Sequence, residues 1–270
     1  MIKQQVSILG CGWLGLPLAK HLIKNGWEVK GSTTSLEKIE KLESEGIQAF
    51  KIELQEDKII GEIHSFLENS ELLIIDIPPG LRSDPNSNFT AKLKKLSETI
   101  PESSIKNILY VSSTGVFQDH ESIPTFTEHY KFTQREVANN QLIQAEQLLL
   151  TFKKAETSVI RFGGLIGNNR HPVKYLAGKP DIKNPEAPVN LIHLDNCILL
   201  ILEIIQQGKF GKIFHGVEAV DSTKEEYYTK KAKEFDLQTP EFDHEIISVG
   251  KNISMTWTAK ELDVGVPKKV

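Results

Sequence analysis

Apolar positions recur along this chain with two spacings, and the switches between them mark the elements. Val6-Ser7-Ile8-Leu9 is short, β-branched and apolar and predicts a buried strand; Leu16 to Lys24 is apolar at helical spacing and predicts a helix. Trp27 to Ser32 predicts a second strand. Leu36 to Glu45 predicts a helix with Ser35 as its cap and Gly46 as its stop, and Ile47 to Lys51 a third strand. Glu71 to Asp76 is a nearly continuous apolar run, as expected of a central parallel strand covered on both faces. Pro78-Pro79-Gly80 ends it. Asp84 to Asn88 reads as a polar loop and Phe89 to Thr99 as a helix closed by Pro101. Ile105 to Ser112, Arg135 to Lys154 and Ser158 to Phe162 predict a fifth strand, a long helix and a sixth strand.

Beyond Gly163 the pattern loosens. Asn168 to Pro188 is rich in Pro, Gly, Asn and Lys and predicts an exposed excursion, and Val189 to Leu194 a return strand. Asp195 stands where it would cap an apolar helix running to Gln207, with Gly208 ending it. Ile213 to Val217 predicts a strand, Ser222 the start of a charged helix to Phe235, and the tail a strand near Glu245 to Val249 and a helix near Met255 to Leu262. Strands alternating with helices predict an α/β fold, a Rossmann-like doubly wound parallel sheet with a small C-terminal substrate lobe. The sheet domain is expected over 1–167, completed by 189–217, and the lobe over 168–188 and 218–270. Right-handed crossovers place a ligand at the carboxyl ends of the strands.

Composition narrows the classes. With 39% hydrophobic and 25% charged residues over 270 positions, the chain is long enough for one large α/β domain and an appendage. A formal net charge of −4 and the absence of a long basic run argue against a nucleic-acid surface. The two cysteines, Cys11 and Cys197, fall in a glycine loop and an apolar helix, so no framework disulfide is expected and a reducing compartment fits. No signal-peptide layout opens the sequence, and the run Cys197 to Ile205 is broken by Glu203, far short of the roughly 20 residues needed to span a bilayer. A cytoplasmic protein with no membrane partner is the expectation.

Candidate chemistry begins at Gly10-Cys11-Gly12-Trp13-Leu14-Gly15, a G-x-G-x-x-G at a predicted strand-to-helix turn. Gly10 would make the tight turn, Gly12 would let the backbone approach a pyrophosphate, and Gly15 would let helix and strand pack closely. The N–H groups of the helix start, Trp13 and Leu14 among them, and its dipole would hold the phosphate charge. NAD sites usually place an Asp or Glu about 20 residues on. Here the second strand ends in Gly31-Ser32-Thr33-Thr34, and these hydroxyls with Lys30 or Lys38 suit the 2′-phosphate of NADP better than the bare hydroxyl of NAD. Ser32, Thr33 and Thr34 also have a plain reading as turn and cap residues. Pro78, at the end of the fourth strand, is a further cofactor candidate. No Cys/His cluster has metal-ligand spacing, so no metal site is expected.

Several segments together resemble the short-chain dehydrogenase/reductase superfamily, in its extended branch of NAD-dependent nucleotide-sugar epimerases and dehydratases. Val111-Ser112-Ser113-Thr114-Gly115-Val116-Phe117 is similar to the strand-five motif carrying the family's catalytic Ser or Thr, which falls on Ser113, with Ser112 beside the cofactor. Arg161 to Gly167, with Phe162, resembles the segment passing the nicotinamide, and Asn190 to Asp195 the Ile-His-Val-x-Asp motif near the substrate lobe. The family's Tyr-x-x-x-Lys would lie on the long helix. Counting back from Glu146, and forward from Ser113, both place it at Ala138 and Leu142, which can neither move a proton nor lower a phenol's pKa. The chain thus departs from the family as its atypical subgroup does.

Tyr130, on the loop before that helix, is a candidate displaced acid, or else an aromatic packed on the core. Ser113 is a candidate for binding a substrate oxygen, or else a strand-end serine serving local backbone. His193 with Asp195 has the look of an acid–base pair, though capping and strand packing explain both; His171, beside Pro172, could face substrate or solvent. Two function classes follow: an oxidoreductase or epimerase acting on a nucleotide-sugar-like small molecule, and a non-catalytic dinucleotide-binding module that senses redox state or regulates a partner. Oligomeric state is not legible.

Overall fold

The computed structural model describes residues 4–80, 84–167 and 169–266. The expected domain limits at residues 1, 168 and 270 therefore lie outside the described residues.

The elements in chain order are β1 Gln5–Leu9, α1 Gly15–Lys24, β2 Glu28–Thr33, α2 Ile39–Ser44, β3 Gln48–Lys51, β4 Glu53–Leu54, β5 Ile59–Ile60 and α3 Ile63–Leu67. Then come β6 Leu72–Ile75, α4 Phe89–Thr99, β7 Asn107–Ser113, β8 Thr125–Phe126, α5 Gln134–Ala138, α6 Gln141–Leu150, β9 Glu156–Phe162 and β10 Gly164–Ile166. The chain continues through α7 Val173–Leu176, β11 Leu191–His193, α8 Leu194–Gln206, β12 Ile213–Gly216, α9 Lys224–Glu234, β13 Asn252–Ile253 and α10 Thr256–Glu261. Seven strands form one parallel sheet in the order β12-β9-β7-β6-β1-β2-β3. Strand order reverses between β1 and β6, the switch point at which open α/β sheets take their ligands.

By contacts the chain divides into two compact units. The first comprises residues 1–112, 131–160 and 204–213, the second 113–130, 161–203 and 214–270. In the first, every residue of β6 is buried, and its apolar neighbours join Phe66, Phe89, Leu93, Leu96, Leu149 and Val159 in one core. Each such Leu, Ile or Phe contributes about 1.5–3 kcal/mol by leaving water, which is why the unbroken apolar run is a strand and not a surface segment. The second unit holds a smaller core around Val173, Leu191, Tyr227, Tyr228 and Ala232. It also carries two short parallel pairs, β10 with β11 and β13 with β8.

Several local expectations are corrected. Residues 36–45 are not one helix: a 3₁₀ turn over Leu36–Lys38 precedes α2, and the Ser35 side chain makes no cap bond. The long helix breaks at Asn139–Asn140, where the Asn140 side chain accepts the Leu142 N–H and starts α6 afresh. An asparagine capping mid-run competes with helix continuation, and here it wins. Asp195 does not cap α8 but lies in its first turn. Helix α9 is capped by Thr223 in a capping box with Glu226, not by Ser222. The strand expected near 245–249 is absent; β13 follows instead at Asn252–Ile253. The excursion before Pro188 is not wholly exposed, since His171, Val173 and Ala187 are buried and α7 lies within it. The hairpin β4–β5 and helix α3 had no signal in the pattern. Both cysteines are buried and free. Among the described residues no helix is long and apolar enough to cross a membrane.

Lys30 is buried on β2, and its ammonium donates to the carbonyl oxygens of Ser65 and Glu68, each at 2.7 Å. Those carbonyls close the carboxyl end of α3, where the helix dipole is negative. Burial lowers the lysine pKa, opposed by the charge of Glu68. Replacing Lys30 by Met strands both carbonyls and should cost about 1–3 kcal/mol. Urea unfolding of Lys30→Met checks this; a midpoint equal to wild type would show the bonds carry no net stability.

Candidate functional site

The glycine loop lies at the switch point, between the ends of β1 and β6. Gly10 has φ +106°, a left-handed geometry that glycine alone takes without strain, and a Cβ there would collide with the Asp76 carbonyl oxygen. A Cβ on Gly15 would collide with the Gly10 carbonyl oxygen. Gly12 differs: it is exposed, and nothing lies within 4 Å of where its Cβ would be. Two glycines are thus used by the protein against itself, and the third opens to the outside. That is the division of labour a pyrophosphate cradle requires.

The loop is held from β2. Ser32, buried, accepts the Gly10 N–H through its hydroxyl at 2.9 Å and the Cys11 N–H through its carbonyl at 2.8 Å. Thr33 is buried too, and its hydroxyl accepts the Ser35 N–H at 3.2 Å. Of the three hydroxyl residues only Thr34 is exposed. Lys30 is committed to α3, whereas Lys38 is exposed with Glu37 beside it, and the exposed Lys51 of β3 pairs with Thr33 at the end of β2. Trp13 is half-buried, Leu14 is buried and Pro78 is exposed. Cys11 is buried, and desolvation with the nearby Asp76 charge pushes its thiol up to about 12, so it stays neutral.

Asp76 is the member of this loop that sequence reasoning missed. It ended an apolar run and read as a strand terminus. Its backbone N–H donates to the Leu9 carbonyl at 2.8 Å, and its carboxylate accepts the Gly15 N–H at the start of α1. Burial pushes that carboxyl up to about 7, with the Gly15 bond opposing.

Ser112 is buried at the end of β7, and its hydroxyl donates to the buried Glu146 carboxylate of α6 at 2.6 Å. Leu142 packs on the core of the first unit, and Ala138 is exposed at the last position of α5. Two Tyr-x-x-x-Lys spacings do occur elsewhere, Tyr175/Lys179 and Tyr227/Lys231. Tyr175 is exposed on the short α7, whereas Tyr227 is buried under His171.

In the second unit, Ser113 is half-buried and its Oγ accepts the Gly115 N–H at 3.0 Å. Tyr130 is half-buried, edge-on to Phe126 at 4.9 Å and to Phe117 at 5.7 Å between ring centres. Phe162 is buried, its ring lying where a side chain at Gly216 would go. Beneath these lies a polar network with no sequence signal. Arg161, 2% exposed, stands over the Phe117 ring and reaches His215 Nε2 at 3.4 Å. His215 Nδ1 is 2.8 Å from the Ser254 carbonyl, and the Thr258 hydroxyl accepts the His215 N–H and donates to Glu128. His193 and Asp195 are 3.5 Å apart, both solvent-accessible, and the His193 N–H donates to the buried Glu218. Ligand atoms of Glu186, Glu225 and His244 come within 4.8 Å of one another, a grouping that sequence spacing concealed.

His171 does not face solvent. It is buried among Tyr227, Tyr228 and Phe235, its Nδ1 accepts the Val173 N–H, and Nε2 is 3.0 Å from the Tyr227 hydroxyl. Burial, reinforced by Lys231, lowers its pKa to about 4; burial likewise takes His215 to about 4. Both are neutral when folded, so the unfolded chain binds their protons first as pH falls below 6.5.

Comparison with known proteins agrees with this geometry. Residues 5–78 match the family described as the NAD binding domain of 6-phosphogluconate dehydrogenase. Protein YeeZ of Escherichia coli (strain K12) is 29% identical over 267 residues, covering 96% of this chain and 94% of that protein. The UDP-glucuronic acid 4-epimerase from Bacillus cereus, solved with NAD, superposes with a TM-score of 0.75 at 14% identity over 99% of this chain and 94% of that one. The human epimerase family protein SDR39U1, solved with NADPH, gives 0.69 at 14% identity over 97% and 95%. The chain has an NAD-binding-type Rossmann domain and the fold of the nucleotide-sugar epimerases.

Stability is expected to fall as pH drops from 6.5 toward 4, by up to about 1.4 kcal/mol per pH unit for His171, and to be unaffected by that residue above 6.5. Urea midpoints across this range should show a shallower fall in His171→Gln; equal slopes would mean the imidazole titrates normally.

Proposed function

We propose that this chain binds a nicotinamide dinucleotide with its pyrophosphate over Gly10 to Gly15, and takes NADP in preference to NAD. The observation that carries the reading is Gly12, exposed beside open space while its two partner glycines are packed against backbone. In support of NADP, the end of β2 presents Thr34 and Lys38 and no carboxylate on Gly31 to Thr34. Gly12→Val should fold with wild-type stability yet lose dinucleotide affinity, because the branch fills the phosphate's place. Gly10→Ala, by contrast, should destabilise the fold. Thr34→Asp should reverse the preference by repelling the 2′-phosphate; Thr33 is too buried for that test. Calorimetric titration with NADP and NAD decides. Equal affinity in wild type and Gly12→Val, or tighter NAD binding by wild type, would refute the respective point.

The substrate we propose is a small polar molecule of the nucleotide-sugar kind, handled by oxidoreductase or epimerase chemistry. Support comes from the Ser113 motif, whose Oγ accepts a backbone bond and keeps its proton to donate to a substrate oxygen. Tyr130 is the remaining candidate acid. A second reading, a dinucleotide-binding sensor without turnover, has its own support. The helix break at Asn139–Asn140 leaves Ala138 exposed on one segment and Leu142 packed against the core on the next, and an alanine and a leucine supply no acid–base help. Each missing group typically costs about 10²–10⁴-fold in rate. Assays of nucleotide sugars and simple carbonyls with NADPH and NADP should therefore give at most slow turnover, abolished by Ser113→Ala. Fast turnover indifferent to Ser113→Ala would move the active site to Tyr130, and binding without any turnover would favour the sensor.

A further inference from the structure

The carboxylate of Asp76 stands where an incoming phosphate would seek its donors. The strand order reverses between β1 and β6, and Asp76 is the first residue beyond β6. Its carbonyl packs on Gly10. Its Oδ2 would lie 3.1 Å from a Cβ on Gly15, and its carboxylate accepts the Gly15 N–H. Gly15 opens α1, a ten-residue helix with no acidic residue in its first turn. The positive end of the helix is thus met by a carboxylate from a neighbouring strand.

We propose that Asp76 belongs to the dinucleotide site and couples dinucleotide binding to uptake of a proton. The inference rests on the pyrophosphate placement proposed above. An ionised Asp76 and a pyrophosphate would share the start of α1, and two like charges at one half-buried place disfavour each other. Binding therefore favours the neutral carboxyl, which keeps its contact with the loop and drops its charge.

Among the described residues, burial and the Gly15 N–H act on the Asp76 carboxyl, and no neighbouring charge does. From its own segment come Ile75, the last residue of β6, and Ile77, both apolar; from β7 comes Tyr110, paired with Ile75, a phenol that burial keeps neutral. From the glycine loop comes the Cys11 thiol, which stays neutral. From α1 comes the Gly15 N–H; the Ser32 hydroxyl of β2 is taken up by the Gly10 N–H. With the Asp76 carboxyl pushed up to about 7 by burial, both of its forms are populated at neutral pH. Dinucleotide affinity should then decline as pH rises above 7, by up to about tenfold per unit while one proton is taken up on binding.

Isothermal titration of the whole chain with NADP and with NAD at pH 7.0, 7.75 and 8.5 tests this. Repeating it in two buffers of different ionisation enthalpy counts the protons directly on the wild-type protein, without any variant. We expect an uptake approaching one proton per dinucleotide at pH 8 and a steady weakening of affinity. Asp76→Asn should bind equally at all three pH values and tighter than wild type at pH 8.5, with no proton uptake. Should that variant fail to fold, wild-type proton counting alone decides. Binding with no proton exchange and no pH dependence overturns the coupling while leaving dinucleotide binding intact. Absence of binding by the folded wild type at every pH overturns both readings together.

Discussion

The structure turns on how closely two strand ends approach. β1 and β6 are adjacent, and beyond them the chain leaves in two directions. The backbone of Gly10 touches that of Asp76, and Gly15 touches Gly10. No side chain fits at either contact, so the turn between β1 and α1 is set by backbone against backbone. The Leu9 carbonyl and the Ser32 hydroxyl fasten that turn on either side. Burial of β6 on both faces supplies the rigidity, since a strand with no exposed residue cannot shift without opening the core. The open space at Gly12 exists because its neighbours are spent in this way.

The carboxylate at the same place works against the fold. Asp76 has a folded pKa above its unfolded value, so its contribution to stability is complete below about pH 4 and is lost as pH rises through 7. A group that costs stability at neutral pH, placed at the ligand end of the sheet, is what functional sites tend to hold. The second unit shows the contrasting case. Arg161, His215, Thr258 and Glu128 are buried, yet each is bonded or ring-stacked within the same unit. They tie the segment carrying Ser113 and Tyr130 to the β13–α10 tail.

Fold and chemistry remain separable here. An epimerase fold with an NAD-binding domain narrows the cofactor class without assigning a reaction. What the structure shows locally is a serine whose Oγ accepts a backbone N–H, a tyrosine packed edge-on in an aromatic cluster, and a helix interrupted at Asn139–Asn140.

The parallel sheet, the glycine loop and most strand and helix limits were legible in the sequence because each rests on local periodicity or on a turn that only glycine fits. Val6 to Leu9, Leu72 to Ile75 and Phe89 to Thr99 announce themselves by apolar spacing, and G-x-G-x-x-G by its flanks. Local pattern could not say which polar residues were already spent. Lys30, Ser32 and Thr33 read as cofactor contacts, but their partners are 35, 22 and 2 residues away, and two of those three bonds exist only once β2 is in place. His171 read as exposed because its neighbours are polar, and it is buried by an aromatic helix more than fifty residues on. Asp76 read as the end of a strand. Only the adjacency of β1 and β6 puts it on the helix that the glycine loop begins, because hydrogen bonds and desolvation depend on distance in space and the sequence records distance along the chain.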